Sequence, residues 1–497
     1  MESALSRKYS QVFQSAHLGA DPRRVYSARR QALLGNLSSL CLFAGVERVP
    51  GSEEVWAYNY ERRIQDPAFL FLTGVNQPGA FLVLDPLSRD PDMREILFLP
   101  EKNPSREFWE GAMLGISAAD PAASIRELIA LTGVRSVLPA RQFWGWIRKR
   151  VAEIHRDHIF GFWHEYTDGQ THKLRQIKDD HNWAFRTKLA TVLQKVAPNI
   201  ALQSVAPLHL HHRMALDRHR IVAARKAQEI TGQAFRNVLA KLTSLPSERS
   251  VAALLEYEML QHTNDGLAFP TIVASGKNAC ILHYSKCDEP LEKDRLVLLD
   301  FGMRVGSLCS DISRTVPANG TFNPLQRLLY QIVLDTQLFH QASVKPGKTL
   351  RQLNLASWDF LEEQLRLRFL SKGGQMRRQY PMLSKAPVDP QRPLSKGPHG
   401  ISHLIGEQVH EGDPFRVYQD QMLRPGMMIS NEPGLYGYFV AEFAGVRFEE
   451  TIGIRIEDDL LITAKGCQNL SHDIPKHPDE LELLLQNKWR NYGSKED

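Results

Sequence analysis

Residues 296–315 read LVLLDFGMRVGSLCSDISRT, and this stretch decides the fold prediction for the second half of the chain. An apolar run at residues 296–299 ends in Asp300, and a second carboxylate, Asp311, stands in a Ser/Thr-rich segment beyond two glycines. The pattern predicts two strands joined by a turn. Because side chains on a strand alternate between its faces, this hairpin can place both aspartates side by side on one face.

The pair of aspartates has two interpretations. Neighbouring carboxylates repel each other unless a positive charge lies between them, and oxygen ligands of this kind suit hard divalent cations. Two such ligands that share an ion are typical of sites with two metals. The alternative is a solvated turn with two ordinary surface aspartates, since acidic residues are common in turns.

Composition limits the class of protein. A chain of 497 residues is too long for a single core and predicts two or three domains. Hydrophobic residues make up 43% and charged residues 24%, as in globular proteins, and the net charge of +5 comes without a dense basic run. We therefore expect no nucleic-acid partner and no membrane partner.

Cysteine usage and the N-terminal sequence predict the compartment. The five cysteines form no CxxC motif and are odd in number, which favours a reducing compartment. The N-terminal sequence lacks the apolar core of a signal peptide, and no window reaches the roughly 18 apolar residues of a membrane span. We expect a cytoplasmic protein.

The first part of the chain alternates short apolar runs with helix-like segments, which predicts an α/β domain over residues 1–205. We expect its strands at residues 39–44, 68–73, 79–84 and 95–99, and its helices at 25–37 and 122–131. The segment that follows is rich in histidine but has no carboxylate or cysteine partner, so we interpret it as a solvated connector more than a metal site. It contains His209, His211, His212 and His219.

The second domain, residues 206–497, is expected to open with helices at residues 221–242 and 251–261. A third helix is indicated by Asn323 as its N-cap, Pro324 in its first turn and apolar residues at helical spacing. A fourth is expected at residues 350–369. Residues 371–396 are rich in glycine, proline and arginine, which predicts a flexible insertion.

Downstream motifs complete a ligand set for the aspartates. The segment PHGISHLIGEQVHE holds His399, His403 and His410, SNEPGLY supplies Glu432, and GIRIEDD supplies Glu457. Each glutamate lies near the end of an apolar run, where strand ends can converge on a cleft. Two aspartates, one histidine and two glutamates can hold two divalent ions, and such an oxygen-rich set favours manganese, cobalt or iron over a structural zinc. Of these we expect manganese.

These motifs resemble those of the pita-bread metallopeptidases, the family of aminopeptidase P and Xaa-Pro dipeptidase. The resemblance rests on ILHY, LLDFG, SDISRT, HGISHLIGEQVHE, NEPGLY and GIRIEDD, which follow one another in the family's order. It extends more faintly to RRQALL and FLTGVNQPGAFLVLD, which are similar to the accessory domain of aminopeptidase P. The resemblance implies an α/β (α+β) protein, with an N-terminal α/β accessory domain followed by a pita-bread metallopeptidase catalytic domain.

The resemblance also implies the site residues. The implied metal ligands are Asp300, Asp311, His403, Glu432 and Glu457, with Asp311 and Glu457 bridging both ions. The substrate-contacting histidines of the family fall on His283, His399 and His410, and its supporting polar residues fall on Tyr436 and Arg455. In chemical terms, Glu432 can serve as general base, and His410 can donate to the developing oxyanion.

The expected function is a two-metal aminopeptidase that releases the N-terminal residue from peptides with proline in second position, with a homodimer or homotetramer as the expected assembly. An Xaa-Pro dipeptidase is the alternative, because the basic insertion and Arg416 could hold the free carboxylate of a dipeptide. A non-catalytic binding protein and a metal-free hydrolase of the creatinase kind are further alternatives, which the intact ligand set disfavours. Leu308 and Glu411 depart from the family pattern and bear on substrate preference.

Overall fold

The structure, a computed structural model, describes residues 4–10, 12–14, 21–46, 65–154, 157–161, 183–263, 265–378, 397–412 and 417–486. Its internal contacts divide the chain into residues 1–213 and 214–497, whereas the sequence placed the boundary between residues 205 and 206. Both units combine helices with sheet, in agreement with the predicted α/β (α+β) class. Within these residue ranges, no helix has the length and apolar character needed to cross a bilayer.

The first unit is built on a mixed sheet. Its strands are β1 (Cys41–Ala44), β2 (Phe81–Leu84), β3 (Glu95–Leu99), β4 (Ser136–Pro139), β5 (His158–Gly161) and β6 (Ala201–Ser204). Its helices are α1 (Ala4–Lys8), α2 (Pro22–Leu34), α3 (Pro67–Thr73), α4 (Pro104–Glu110), α5 (Pro121–Thr132), α6 (Phe143–Glu153), α7 (Trp183–Val196) and α8 (Ala206–Arg213). The strand order is β4-β3-β2-β1-β5-β6, with β1–β2 and β2–β3 antiparallel and the other pairs parallel.

Both faces of this sheet are covered. On β2 and β3, Leu82 and Leu97 join one apolar cluster, while the alternate residues Val83, Ile96 and Phe98 join another. Strands buried on both faces are expected to be continuously apolar, which explains the uninterrupted runs in the sequence.

The apolar run at residues 68–73 is helix α3, so the strand predicted there is wrong. Asp66 caps the helix by accepting two backbone N–H bonds, Pro67 opens it, and Gly74 ends it in the left-handed conformation at φ 70°. A short run that is buried on all sides has no periodicity that separates strand from helix, and here the capping residues decide. The other predicted strands and helices of this unit are confirmed within a few residues.

The histidine-rich segment also differs from its prediction, because most of it is helix α8 of the first unit and not a solvated connector. His209 is buried, and its ring lies between Phe43 and Phe71 at centroid distances of 5.9 and 5.6 Å. The segment thus contributes to the core of that unit.

The second unit contains several small antiparallel sheets with helices around them. The helices are α9 (Arg218–Leu242), α10 (Glu248–Leu260), α11 (Pro324–Ser343), α12 (Leu350–Arg368) and α13 (Pro478–Leu485). The strands are β7 (Ile272–Ser275), β8 (Leu296–Phe301), β9 (Arg304–Val305), β10 (Leu308–Cys309), β11 (Ile312–Pro317), β12 (Gln375–Arg378), β13 (Met428–Asn431), β14 (Gly434–Phe443), β15 (Val446–Arg455), β16 (Asp458–Ile462) and β17 (Cys467–Asn469). The sheets have the orders β11-β8-β7, β12-β14-β15, β13-β16-β17 and β10-β9. The four helices predicted for this unit are confirmed.

Residues 296–315 form the predicted antiparallel pair, with β8 next to β11. Asp300 lies opposite Ser313, and Asp311 precedes Ser313 by two positions, so strand alternation puts all three side chains on one face. The connection is longer than a simple turn, because β9 and β10 form a small hairpin within it. Gly302 is needed where this connection begins, since a Cβ there would lie 2.0 Å from the carbonyl oxygen of Ser310.

The predicted insertion at residues 371–396 begins with regular structure. A 3-10 turn at Leu370–Lys372 leads into β12, which pairs with β14. Residues 379–396 lie outside the described residues, as does Arg416.

Arg314 on β11 is fully buried and ties the sheet to the C-terminal segment. It donates to Asp458 Oδ1 at 2.7 Å and to the carbonyl oxygens of Glu457, Ile474 and Pro475 at 2.5, 3.0 and 2.8 Å. One buried guanidinium therefore holds four other residues, two of them in the segment that follows β17.

Replacing Arg314 with Ala should lower the free energy of unfolding of the second unit by about 3–5 kcal/mol, because the buried Asp458 keeps Lys476 but loses one of its two cationic partners, and several buried carbonyls lose a donor. Urea denaturation measures the change. Lys226→Ala, at an exposed ion pair with Glu229, is the control and should change the free energy by less than about 1 kcal/mol. Similar losses in the two variants would contradict this account of Arg314.

Candidate metal centre

The expected ligands come from separate places in the sheets of the second unit. Asp300 is on β8, Asp311 directly precedes β11, Glu432 links β13 to β14, Glu457 links β15 to β16, and His403 lies in the segment before β13. Backbone bonds join these places: the N–H of Glu457 donates to the carbonyl of Ser313 at 3.0 Å, and the N–H of Ser430 donates to that of His403 at 2.9 Å. The converging strand ends predicted from the sequence are present.

Three of the five residues form a compact group. One ligand atom each from Asp311, His403 and Glu457 lie within 4.8 Å of one another. The Nε2 atom of His403 is 3.5 Å from Asp311 Oδ2 and 3.3 Å from Glu432 Oε1. Within the described part of the chain, no second group of histidine, cysteine or acidic residues meets the same criterion.

Asp300 stands beside this group and is held by Arg455. The Nη2 atom of Arg455 donates to Asp300 Oδ2 at 2.6 Å, and its Nε atom donates to Ser313 Oγ at 2.8 Å. Ser313 in turn donates to Glu457 Oε2 at 2.7 Å. The other oxygens of these two carboxylates, Asp300 Oδ1 and Glu457 Oε1, are buried and have no hydrogen-bond partner.

The acidic side chains share a desolvated space. Burial raises the pKa of Asp311 to about 7, with a further contribution from the Asp300 carboxylate, and burial raises the pKa of Glu457 well above its usual range. Burial alone would lower the pKa of His403, but hydrogen bonds to Asp311 and Glu432 raise it well above its usual range. For Glu432 the effect of burial is outweighed by the neighbouring His403, and its pKa falls to about 2.

The other candidate residues surround a cavity of about 970 Å³. It is lined by all five expected ligands together with His283, His399, His410 and Arg455. Tyr436 stands behind this lining, and its hydroxyl lies 3.0 Å from His399 Nε2 and 3.3 Å from Arg455 Nη1. The structure thus brings every residue of the predicted site to one cleft, while their individual roles stay predictions.

Sequence reasoning missed the polar residues that hold the ligands in place. Asp459 Oδ2 accepts the backbone N–H of Asp311 at 3.0 Å, and Ser430 Oγ accepts the backbone N–H of His403 at 3.0 Å. Ser313 could have been found, because it alternates with Asp311 and so shares its face. Asp459 and Ser430 carry no such signal, since the groups they bind are distant in the sequence.

The lining of the cleft also includes apolar and aromatic residues that the sequence did not indicate. They are Phe269, Ile272, Leu282, Val409 and Tyr418. These residues belong to four different segments, so no local pattern groups them.

Known proteins are similar to this chain over most of its length. Family models match at residues 223–464, for metallopeptidase family M24, and at residues 26–142, for the N-terminal domain of aminopeptidase P. Xaa-Pro aminopeptidase 3 of Rattus norvegicus is 30% identical over 423 residues, which cover 84% of this chain and 76% of the relative. The mitochondrial intermediate cleaving peptidase 55 of Arabidopsis thaliana is 29% identical over 465 residues, 93% of this chain and 83% of that protein.

A solved structure is similar over nearly the whole chain. Zinc-substituted Escherichia coli aminopeptidase P in complex with product superposes with a TM-score of 0.73 at 25% identity, covering 94% of this chain and 98% of that one. The match supports an aminopeptidase P type of N-terminal domain followed by a pita-bread catalytic domain. The chain belongs to metallopeptidase family M24 and is a metal-dependent aminopeptidase that acts on peptides.

Proposed function

We propose that this aminopeptidase releases the N-terminal residue from peptides whose second residue is proline, with two manganese ions held by Asp300, Asp311, His403, Glu432 and Glu457. The observation that carries the proposal is the gathering of these side chains with three further histidines around one cleft. The rat relative, which is named an Xaa-Pro aminopeptidase, supports the specificity.

The donor set fits hard divalent ions. The buried oxygens Asp300 Oδ1 and Glu457 Oε1 have no hydrogen-bond partner, as expected of atoms that bind a metal. The set has one imidazole, no thiolate and otherwise carboxylate oxygens, which favours manganese. Divalent ions bound there would lower the pKa of a water molecule and polarise the scissile carbonyl.

The chain's own residues supply proton transfer and orientation. Glu432 lines the cleft, and its carboxylate has a spare oxygen that can take a proton from the attacking water and return it to the leaving nitrogen. His410 lines the same cleft and can donate to the carbonyl oxygen as negative charge develops. His399 and His283 contact the substrate, and Tyr436 orients His399.

The apolar residues that line the cleft suit proline. A proline after the scissile bond presents a tertiary amide without an N–H, so its site needs no carbonyl acceptor at that position. Phe269, Leu282 and Val409 offer apolar surface beside the histidines.

We also propose a cytoplasmic location, assembly as a homodimer or homotetramer, and no nucleic-acid or membrane partner. The five cysteines are free, and four of them are buried, in keeping with a reducing compartment. The Arabidopsis relative is named mitochondrial, and a mitochondrial compartment would agree with the same free thiols.

Manganese should stabilise the protein more at neutral than at acid pH. In the metal-free protein the pKa of Asp311 is raised from 3.8 to about 7. Its favourable contribution to the free energy of unfolding is therefore present below about pH 4 and is lost as the pH rises through about 7. The pKa of His403 is also raised, so its favourable contribution to the free energy of unfolding is likewise lost as the pH rises. Bound cations replace these protons.

Thermal unfolding of chelated and manganese-loaded protein, compared at about pH 5 and about pH 7.5, measures this effect. The gain in midpoint temperature should be larger at the higher pH, elemental analysis should find two ions per chain, and a strong chelator should abolish activity. A gain that does not depend on pH, or activity that survives chelation, would contradict the assignment.

Asp311 and His403 should respond differently to mutation. As a bridging ligand, Asp311 should be needed for both ions, so Asp311→Asn should leave the protein without stoichiometric metal. His403→Ala should keep one ion. Metal content after dialysis, with activity measured in parallel, separates the two, and activity should fall by more than about 100-fold in both. Equal, small losses of metal would argue against bridging by Asp311.

The substrate proposal is tested with a peptide panel at equal metal loading. We expect cleavage of an Xaa-Pro tripeptide and of a longer Xaa-Pro peptide, and little cleavage of the matched peptides with alanine in place of proline. Turnover of the Xaa-Pro dipeptide alone would favour the dipeptidase. The positive charge that holds the free carboxylate of the dipeptide would then be sought in Arg416 or residues 379–396. Equal turnover of the proline and alanine peptides would overturn the proline preference.

A further inference from the structure

His340 is a fully buried histidine behind the metal centre, and the predicted chemistry gives it no part. It projects from α11, and both of its ring nitrogens meet serine hydroxyls. Nδ1 is 2.8 Å from Ser357 Oγ on α12, and Nε2 is 2.7 Å from Ser402 Oγ. Ser402 directly precedes the expected ligand His403. All three side chains are inaccessible or nearly so.

The hydrogen positions follow from the acceptors. Ser402 Oγ also lies 2.7 Å from the carbonyl oxygen of Ser430, which can only accept, so the single hydroxyl hydrogen of Ser402 points there. Ser402 Oγ must then accept from Nε2–H of His340. Burial lowers the pKa of His340 to about 3, so the ring is neutral and Nδ1 accepts the hydroxyl hydrogen of Ser357.

The chain of bonds ends at two of the expected ligands. Ser430, whose carbonyl receives the Ser402 hydroxyl, uses its own hydroxyl to accept the backbone N–H of His403 at 3.0 Å and lies 3.4 Å from Glu432 Oε1. The backbone N–H of Glu432 donates to the carbonyl of Ile401 at 2.9 Å. The segment that carries His403 and the strand that leads to Glu432 are therefore joined on both sides of Ser402.

We propose that His340 is a positioning residue of the metal centre: through its Nε2–H it orients the Ser402 hydroxyl toward Ser430, and so sets the spacing between His403 and Glu432. The inference rests on the proposed function only for the roles of those two ligands.

Two substitutions separate the two sides of the ring. Gln places its amide near the position of Nε2, so His340→Gln keeps a donor for Ser402 and gives up the bond to Ser357. Asn places its amide near the position of Nδ1, so His340→Asn keeps the bond to Ser357 and gives up the donor for Ser402. Ser357→Ala is the matched control, because it removes a bond of similar length and burial on the side away from the metals.

The experiment titrates metal-free protein with manganese by calorimetry and measures kcat, KM and thermal unfolding of the loaded protein. His340→Asn and Ser402→Ala should each weaken manganese binding and lower kcat by about 10–100-fold, with KM nearly unchanged. His340→Gln and Ser357→Ala should stay within about threefold of the parent, although their unfolding temperature falls. Because the two residues act in one path, the double variant His340→Asn, Ser402→Ala should be no worse than the poorer single variant.

Equal losses of manganese affinity in the Asn and Gln variants would overturn the proposal, as would additive losses in the double variant. If His340→Asn does not fold, Ser402→Ala against Ser357→Ala decides the question in the same way. Manganese affinity is independent of peptide choice, so a failure of the proline specificity would leave this result intact and would be recognised separately.

Discussion

Several carboxylates of the second unit share one desolvated cleft and repel one another. This repulsion must be offset for the unit to be stable. Two unit charges about 4 Å apart interact by about 4 kcal/mol at an effective dielectric constant of about 20. The net stability of a domain is only about 5–15 kcal/mol, so several such pairs must be offset close to where they arise. Arg455 lies close enough to Asp300 to offset its negative charge. His403 lies close enough to Asp311 and Glu432 to offset theirs. In the proposed function, divalent ions supply the remaining positive charge.

The fold around this cluster was predictable where the information is local. The hairpin at residues 296–315 follows from one apolar run and two carboxylates, and helix α11 follows from its cap at Asn323 and the proline after it. Part of the expected site was predictable for a related reason, because Asp300, Glu432 and Glu457 each lie at or near the end of an apolar run and strand ends gather at a common edge. The choice of His403 among its neighbouring histidines came from the family resemblance.

Other features depend on contacts that no local pattern records. Residues 68–73 are apolar throughout, and only the flanking Asp66 and Gly74 separate a buried helix from a buried strand. The path from His340 through Ser402 to Ser430 joins three segments, and serine and histidine are too common in any chain to stand out. Arg314 is similar, since its partners at residues 457, 458, 474 and 475 become neighbours only in the folded unit.

The order of the ligands along the chain has a consequence for biosynthesis. Among the expected ligands, Asp300 and Asp311 leave the ribosome first and Glu457 leaves it last. The buried Arg314 can form its hydrogen bonds to the carbonyls of residues 474 and 475 only after these residues have been synthesised. A chain that stops before Glu457 therefore has acidic residues but not the full set of expected ligands. In the proposed function such a shortened copy cannot hold both ions, so it is inert toward the nascent chains around it.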